Sequence, residues 1–243
     1  MNLTNLKNQK ETLMRNMCSY LLMTLLVVGQ TLLARQSEFI GTAKEISPKV
    51  FERINGRSWL PVCPPLEDLR YLRLSHWGYD NEIHLGEMIV HKDVTLDVIE
   101  IFKELFENHF PIERINLIDD YFEEGKGRNK IDDASMADNN TSAFFFRLIG
   151  GTDIVSEHGL GTAIDINPRL NPYYNVITGY FSPSNAQEFL DRERIDVPGM
   201  ITKESICYKA FIKRGWKWGG NWKNVKDYQH FCVNKVVHKS FNS

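Results

Sequence analysis

The pattern of apolar and polar positions predicts short helices and strands in an irregular order. Residues 86–91 have strand character. Apolar residues then recur at helical spacing, which predicts a helix that Asp93 or Thr95 caps at its start. The residues at helical spacing are Val94, Val98, Phe102, Leu105 and Phe106.

The middle of the chain alternates apolar segments with one long polar segment. Residues 115–118 and 143–149 predict strands, and Gly150 follows the second of them. Residues 120–142 are rich in Asp, Asn, Gly and Lys, so they predict a long surface loop. A further strand is predicted over residues 162–166.

The C-terminal part carries two helix signals followed by extended structure. Residues 184–187 resemble a capping box and predict a short helix. A second helix is predicted from Thr202 to Gly215, and an extended segment begins at Trp216. Because helices and strands mix without regular alternation, we predict an α+β fold. A small antiparallel sheet with flanking helices is favoured over a doubly wound parallel sheet.

The N-terminal segment has the order of charged and apolar residues that is typical of a targeting signal. Lys7, Lys10 and Arg15 precede an apolar run, so residues 1–34 predict a signal peptide or an uncleaved membrane anchor. Either interpretation exports the rest of the chain. Residues 35–75 look irregular and contain four prolines. We therefore expect residues 35–83 to form an arm that packs on a domain of residues 84–243.

Composition excludes some partners and leaves the cysteine chemistry open. The formal net charge is -2, so the whole chain gives no indication of nucleic-acid binding. Contact with a membrane is expected only through the N-terminal segment, and we expect a monomer. Beyond that segment, Cys63, Cys207 and Cys232 permit one disulfide and one free thiol, and the sequence does not choose the pair.

One segment brings a histidine and an aspartate into a pattern that suits metal binding. In the strand 162–166, Asp165 lies on the face opposite to the apolar isoleucines. Gly159 and Gly161 allow a sharp turn that returns His158 towards Asp165. Imidazole nitrogen and carboxylate oxygen are both zinc ligands. Taken alone, the pair also fits two hydrogen-bonded residues.

A second segment offers a third ligand and a base. His230 completes a set of two nitrogens and one carboxylate, which leaves a fourth tetrahedral position for water. Asp227 lies three residues earlier, close enough to take a proton from that water. The alternative makes Asp227 a loop residue and His230 a core histidine.

The motifs of these segments resemble one known family. Ser-x-His-x-x-Gly-x-Ala-x-Asp, then Trp-Gly-Gly-x-Trp and Asp-x-x-His-Phe, resemble the D-alanyl-D-alanine carboxypeptidase family of zinc peptidases over roughly residues 84–233. That family includes vancomycin-resistance carboxypeptidases and phage endolysins that cut L-alanyl-D-glutamate bonds, and it shares its fold with the hedgehog signalling domain. The resemblance implies one Zn²⁺ per chain, held by His158, Asp165 and His230, with Asp227 as the catalytic base.

The chain departs from the family pattern at one position. Many relatives carry an arginine on an earlier strand that stabilises the oxyanion, and no arginine stands there in this chain. Arg147 is the nearest candidate for that charge, although a strand-end arginine also fits a surface role. We expect Asn140, Ser142 and Trp218 to contact substrate. Ser156 is expected to support the ligands by hydrogen bonding.

Together, these features predict a zinc-dependent peptidase, exported to the bacterial periplasm or the medium. The resemblance implies peptidoglycan stem peptides as substrate, and the bond cut is either D-Ala-D-Ala, by a carboxypeptidase, or L-Ala-D-Glu, by an endopeptidase. A rival of a different class is a non-catalytic cell-wall or partner-binding domain that keeps zinc for stability.

Overall fold

The computed structural model of the protein describes residues 14, 17, 20, 38–149, 152–194 and 197–233. Met1–Glu38 and Phe39–Ser243 are separate compact units. In the first unit, Met14, Met17 and Tyr20 are helical and exposed. The rest of the predicted leader lies outside the described residues. Within the described part of the chain, no helix is both long and apolar enough to cross a membrane.

The described residues of the second unit form four helices and eleven strands. The helices are α1 (Pro48–Ile54), α2 (Thr95–Glu107), α3 (Arg128–Ala137) and α4 (Ile206–Ile212). The strands are β1 (Gly41–Lys44), β2 (Leu69–Trp77), β3 (Ile83–His91), β4 (Arg114–Ile115), β5 (Asn140–Thr141), β6 (Ala163–Asp165), β7 (Tyr173–Asn175), β8 (Phe181–Ser182), β9 (Lys217–Trp218), β10 (Val225–Asp227) and β11 (His230–Cys232).

The strands form small sheets that are mostly antiparallel. Three sheets have three strands each, in the orders β1-β2-β3, β6-β11-β9 and β10-β7-β8, and all of their pairings are antiparallel. Strands β4 and β5 form a parallel pair. This arrangement confirms the predicted α+β fold with small antiparallel sheets.

The hairpin β2–β3 contributes side chains to two hydrophobic clusters. Leu72 and Leu74 face the main hydrophobic core, while Leu69 faces a second cluster built around Ile54 of α1. Successive side chains of a strand point to opposite faces, so one strand can serve both clusters. Each cluster supplies burial that stabilises the hairpin, at about 25 cal/mol per Å² of apolar surface.

The main core also receives the strands that carry the candidate ligands. Ile164 and Ile166 on either side of Asp165, and Phe231 next to His230, are fully buried there together with the apolar faces of α2 and α4. Phe231 stacks on Phe211 of α4, with ring centroids 4.0 Å apart. The core therefore anchors the backbone on both sides of Asp165 and next to His230.

The predicted irregular segment over residues 35–75 is wrong for much of its length. Strand β1, helix α1 and most of β2 lie within it. Strand β2 pairs along its whole length with β3, from Leu69 opposite His91 to Trp77 opposite Ile83. The prolines concentrate in the connection between α1 and β2, so they mark a local loop and not the whole segment.

The predicted surface loop over residues 120–142 is also wrong, because it contains α3 and β5. Helix α3 buries only Ile131 and Ser135. These residues are four apart, so they lie on one face, but one of them is polar. A helix with a single buried apolar residue leaves almost no periodic signal in the sequence.

The predicted strand over residues 143–149 is wrong except for one bridge, between Leu148 and Val155. Ala143, Phe144 and Phe145 enter three different hydrophobic clusters. Three successive side chains that diverge in this way do not fit the two-sided alternation of a strand. The apolar run reflects the meeting of three clusters.

Helix boundaries differ from the predictions at three places. His91, and neither Asp93 nor Thr95, accepts the backbone N–H of Asp93 in the turn before α2. Ser205, and not Thr202, caps α4. Residues 184–187 precede only a short 3₁₀ turn, Gln187–Phe189, which begins after Ala186 without a side-chain cap. In the first two cases a neighbouring residue provides the cap in place of the predicted one.

The cysteines of the second unit are not disulfide-bonded. Cys63, Cys207 and Cys232 are all free and buried. They lie in different places, with Cys63 in the cluster around α1 and Cys207 in the main core. The disulfide that the count of cysteines permits is therefore not formed.

Candidate metal centre and its cavity

His158 stands on a tight turn that packs against strand β3. The Ser156 hydroxyl accepts the backbone N–H of Gly159 at 3.3 Å and closes the turn. Gly161 has φ +72°, and its carbonyl accepts the N–H of His91 at 2.8 Å. A Cβ at Gly161 would lie 2.7 Å from that same nitrogen, so only glycine fits. The turn is thus held at both ends, with His158 between them.

Asp165 and His230 face each other across neighbouring antiparallel strands. They are direct partners in the register of β6 and β11. Side chains of opposed residues in such a pair lie on the same face of the sheet. Ile164 and Phe231, one position along, point the other way into the core. The alternation predicted for this strand is therefore confirmed.

The three predicted ligands form one buried cluster. The ligand atoms of His158, Asp165 and His230 all lie within 4.8 Å of one another. His158 Nε2 is 3.2 Å from Asp165 Oδ2, and His230 Nδ1 is 3.1 Å from Asp165 Oδ1. The two histidine nitrogens are 3.2 Å apart. Among the described residues, no other group of three such side chains meets this closeness.

A hydrogen bond outside the cluster orients His158. Its Nδ1 lies 2.6 Å from the Ala143 carbonyl oxygen, which can only accept, so Nδ1 carries the proton and Nε2 is left to face the cluster. Outer contacts of this kind fix the ring orientation of metal-binding histidines.

The charged groups of the cluster strongly shift one another's pKa values. Burial raises the pKa of Asp165, but the two histidines outweigh it and hold that pKa well below its usual range. Burial by itself lowers the pKa of His230, but the hydrogen bond to Asp165 outweighs burial. The pKa of His230 therefore stands above its usual value. The carboxylate is therefore ionised and ready to share its charge with a cation.

Asp227 ends strand β10, beside the cluster. Its register partner is Tyr173 of β7. Burial raises the pKa of Asp227 to about 6, against the opposing effect of His230. Its Oδ1 is buried and has no hydrogen-bond partner. An ionised, unpartnered acceptor oxygen with a pKa near neutrality has the properties of a general base.

A cavity of about 380 Å³ opens over Asp165 and Asp227. Helix α3 contributes Asp132 and Asp133 to its wall, and Arg147 also lines it. The other lining residues are Asn129, Met136, Leu148, Tyr173, Tyr180, Ser182 and Gln229. A neighbouring cavity of about 560 Å³ shares Asn129, Arg147 and Leu148 with the first.

Arg147 reaches the cavity of the base. Its guanidinium Nε is 3.7 Å from Asp132 Oδ2, too long for a hydrogen bond, and this Nε has no other partner. Burial lowers the pKa of Arg147, but Asp132, Asp165 and Asp227 more than offset it, and the pKa is raised. The side chain therefore stays charged and keeps a donor free beside the cluster.

Asn140 and Trp218, two of the three predicted substrate residues, do not line either cavity. Asn140 is fully buried, and its amide bonds the backbone of Asn116 and the hydroxyl of Ser135. Trp218 is buried in the main core and donates to the carbonyl of Tyr228. In this arrangement both side chains hydrogen-bond backbone groups away from the two cavities, and their contact with substrate stays a prediction.

The third predicted substrate residue, Ser142, flanks the cluster through its backbone. It forms an antiparallel bridge with Asp165, with hydrogen bonds of 2.9 and 3.1 Å. Ser156 supports the turn of His158, and its hydroxyl bonds Gly159 and not the imidazole. Trp222, which the motif Trp-Gly-Gly-x-Trp includes, contacts His230 with ring centroids 5.6 Å apart.

Sequence reasoning missed Asp132 and Gln229, which line the cavity. Gln229 stands one residue before His230, so its place beside the ligand could have marked it. Asp132 lies in a segment interpreted as a loop, and nothing in the local sequence indicates its approach.

The donor set fits a zinc ion. Two imidazole nitrogens and one carboxylate oxygen match the ligand types of catalytic zinc sites, which leave one position open. Oδ1 of Asp227 and Nε of Arg147 are buried without a hydrogen-bond partner, and both residues line the cavity together with Asp165. The closed four-ligand set of a structural zinc site is not present among the described residues.

Comparison with known proteins gave one match. Neither curated proteins nor solved structures yielded a match to this chain. A family model matches residues 150–233 and thus begins after Arg147, so the resemblance over residues 84–149 rests on the sequence alone. The segment 150–233, which contains all three candidate ligands and the candidate base, matches the D-alanyl-D-alanine carboxypeptidase family, and this confirms the family resemblance predicted from the sequence.

Proposed function

We propose that the protein is a zinc-dependent peptidase that cleaves stem peptides of bacterial peptidoglycan. One observation carries the proposal. Asp165, which His158 and His230 contact in one buried cluster, lines the same cavity as Asp227, whose Oδ1 has no hydrogen-bond partner. A zinc held by the cluster would polarise the scissile carbonyl and lower the pKa of its water towards neutrality.

The chain's own residues divide the remaining work. Asp227 Oδ1 takes the proton of the attacking water and returns it to the leaving amine, a role that its raised pKa suits. The guanidinium of Arg147 donates to the carbonyl oxygen as negative charge develops there. Asp132 keeps that guanidinium beside the cavity through their ion pair. The ladder between β6 and β11 fixes the ligands relative to each other.

Peptidoglycan as substrate rests on the family match and on the predicted export of the domain. We propose the periplasm or the medium as the place of action. The two candidate bonds remain those of the family, D-Ala-D-Ala and L-Ala-D-Glu. In both bonds the scissile carbonyl would enter the one cavity that Asp165 and Arg147 line.

The test is a zinc and digestion assay on purified residues 36–243. Wild type and Asp227→Ala are assayed for bound zinc and then incubated with purified peptidoglycan, and the released fragments are identified by mass spectrometry. The proposal expects one zinc in both proteins and fragments from wild type alone. One zinc in both proteins without any cleaved fragment would favour a non-catalytic zinc-stabilised binding domain.

A further inference from the structure

Three of the unpartnered side-chain atoms lie in one cavity. Five buried side-chain nitrogen or oxygen atoms of the described residues lack a hydrogen-bond partner, and those of Arg147, Asp227 and Gln229 belong to residues that line the cavity over the cluster. The proposed reaction uses the first two. It gives no role to the third, Gln229 Oε1.

Gln229 is unusual for a cavity residue because it is almost completely buried. Only 2% of it is exposed, and it stands between the base Asp227 and the ligand His230. Its amide nitrogen contacts Met136 Sδ at 3.6 Å, which leaves the carbonyl oxygen as the free end. Its backbone carbonyl accepts the N–H of Ile166 at 3.0 Å, so the strand ladder holds the residue in place.

A buried amide oxygen without a donor is destabilising, because it has lost its hydrogen bonds to water and gained none in return. No described side chain donates to this oxygen, and the nearby hydroxyl of Ser182 is bound to Asp133 at 3.1 Å. The cavity that Gln229 lines is where a bound molecule would supply a donor. A peptide substrate carries such donors at regular intervals, in its backbone N–H groups.

We propose that Gln229 is a substrate-positioning residue whose Oε1 accepts a backbone N–H of the peptide next to the scissile bond. This inference rests on the proposed peptidase function and adds a contact to it. Its position fits, because Asp227 and His230 bracket Gln229 in the chain and line or complete the same site. The contact would set the register of the peptide relative to the cluster.

The experiment removes each partner of the proposed hydrogen bond in turn, the acceptor oxygen of Gln229 and the N–H of the peptide. Gln229→Met keeps the length of the side chain and removes the acceptor, and Gln187→Met makes the same change on an exposed 3₁₀ turn outside the cavity. Synthetic stem peptides are prepared in which each amide N–H flanking the scissile bond is replaced, one at a time, by an ester oxygen. Bound zinc and thermal unfolding check that the variants fold.

We expect wild type to lose about three- to tenfold in kcat/KM on one ester peptide, mostly through KM, as removal of one neutral hydrogen bond does. Gln229→Met should show the same loss on the amide peptide and no further loss on that ester. Gln187→Met should behave as wild type. A purely structural role of Gln229 would not make the variant insensitive to one particular ester.

Two outcomes overturn the inference in distinguishable ways. If wild type cleaves all the ester peptides as well as the amide, Gln229 does not bind a substrate N–H, and the peptidase function stands. The same follows if Gln229→Met, or Gln229→Leu where the first variant fails to fold, still separates amide from ester. If wild type neither binds nor cleaves any stem peptide, the proposed function fails and the inference fails with it.

Discussion

Replacing Arg147 by Met removes the only guanidinium among the described residues that line the cavity of the base. Its Nε is unpartnered, and its pairing with Asp132 at 3.7 Å is loose, so the donor is free to turn to a developing oxyanion. We expect folding and zinc binding to persist, since no metal ligand contacts this side chain in a hydrogen bond.

The size of the expected loss in kcat depends on how well the guanidinium of Arg147 is shielded from water. Loss of one oxyanion donor costs about 10²–10³ in kcat, or about 2.7–4 kcal/mol. The side chain of Arg147 is 36% exposed, and solvent weakens its electrostatic effect. We therefore expect the lower end, about a hundredfold loss in kcat. Arg147→Lys keeps the charge without the planar fork and should lie between wild type and Arg147→Met.

The assay is steady-state cleavage of the stem peptide that wild type cuts best, with kcat and KM measured separately. Arg169→Met serves as the control, because Arg169 is a similarly exposed arginine that pairs with Glu188 outside both cavities. An Arg147→Met protein with full kcat would refute the role in oxyanion stabilisation. A variant that loses only zinc would show that Arg147 supports the metal centre.

Two further predictions concern the base and the core. Burial raises the pKa of Asp227 to about 6, and a bound dication would lower it from that value. We therefore expect kcat/KM to be constant near neutral pH and to fall as pH drops through a value at or below 6. A pH profile in which kcat/KM rises towards acid would contradict the assignment of Asp227 as the base. Phe231→Ala should lower the free energy of unfolding by about 3–5 kcal/mol, because Phe231 is fully buried against Phe211. Urea denaturation of the zinc-loaded protein measures this, and a loss below about 1 kcal/mol would show that the core collapses around the cavity.

The candidate ligands were predictable because their signals are local. His158 and Asp165 stand in one continuous motif, and the alternation of the strand alone places Asp165 opposite the apolar face. His230 and Asp227 lie in a second motif three residues apart. The fold class followed from the irregular mixture of helical and strand patterns. These features depend on spacing along the chain, which the sequence contains directly.

What failed was decided by contacts between distant segments. Residues 143–145 look like a strand, but each side chain enters a different cluster. Asn140 was predicted to contact substrate, and the fold buries it with its amide hydrogen-bonded to Asn116 and Ser135. Local propensity is a weak prior where tertiary burial competes with it.

The chemistry of the site is likewise determined in part by the local sequence and in part by the tertiary structure. The types and order of the ligands and base follow from the sequence, because each is set by a side chain and its near neighbours. Which groups surround them depends on the fold. Helix α3 brings Asp132 to Arg147, and the register of β6 with β11 places His230 opposite Asp165. Those pairings join residues far apart in the chain, so only the packed structure determines them.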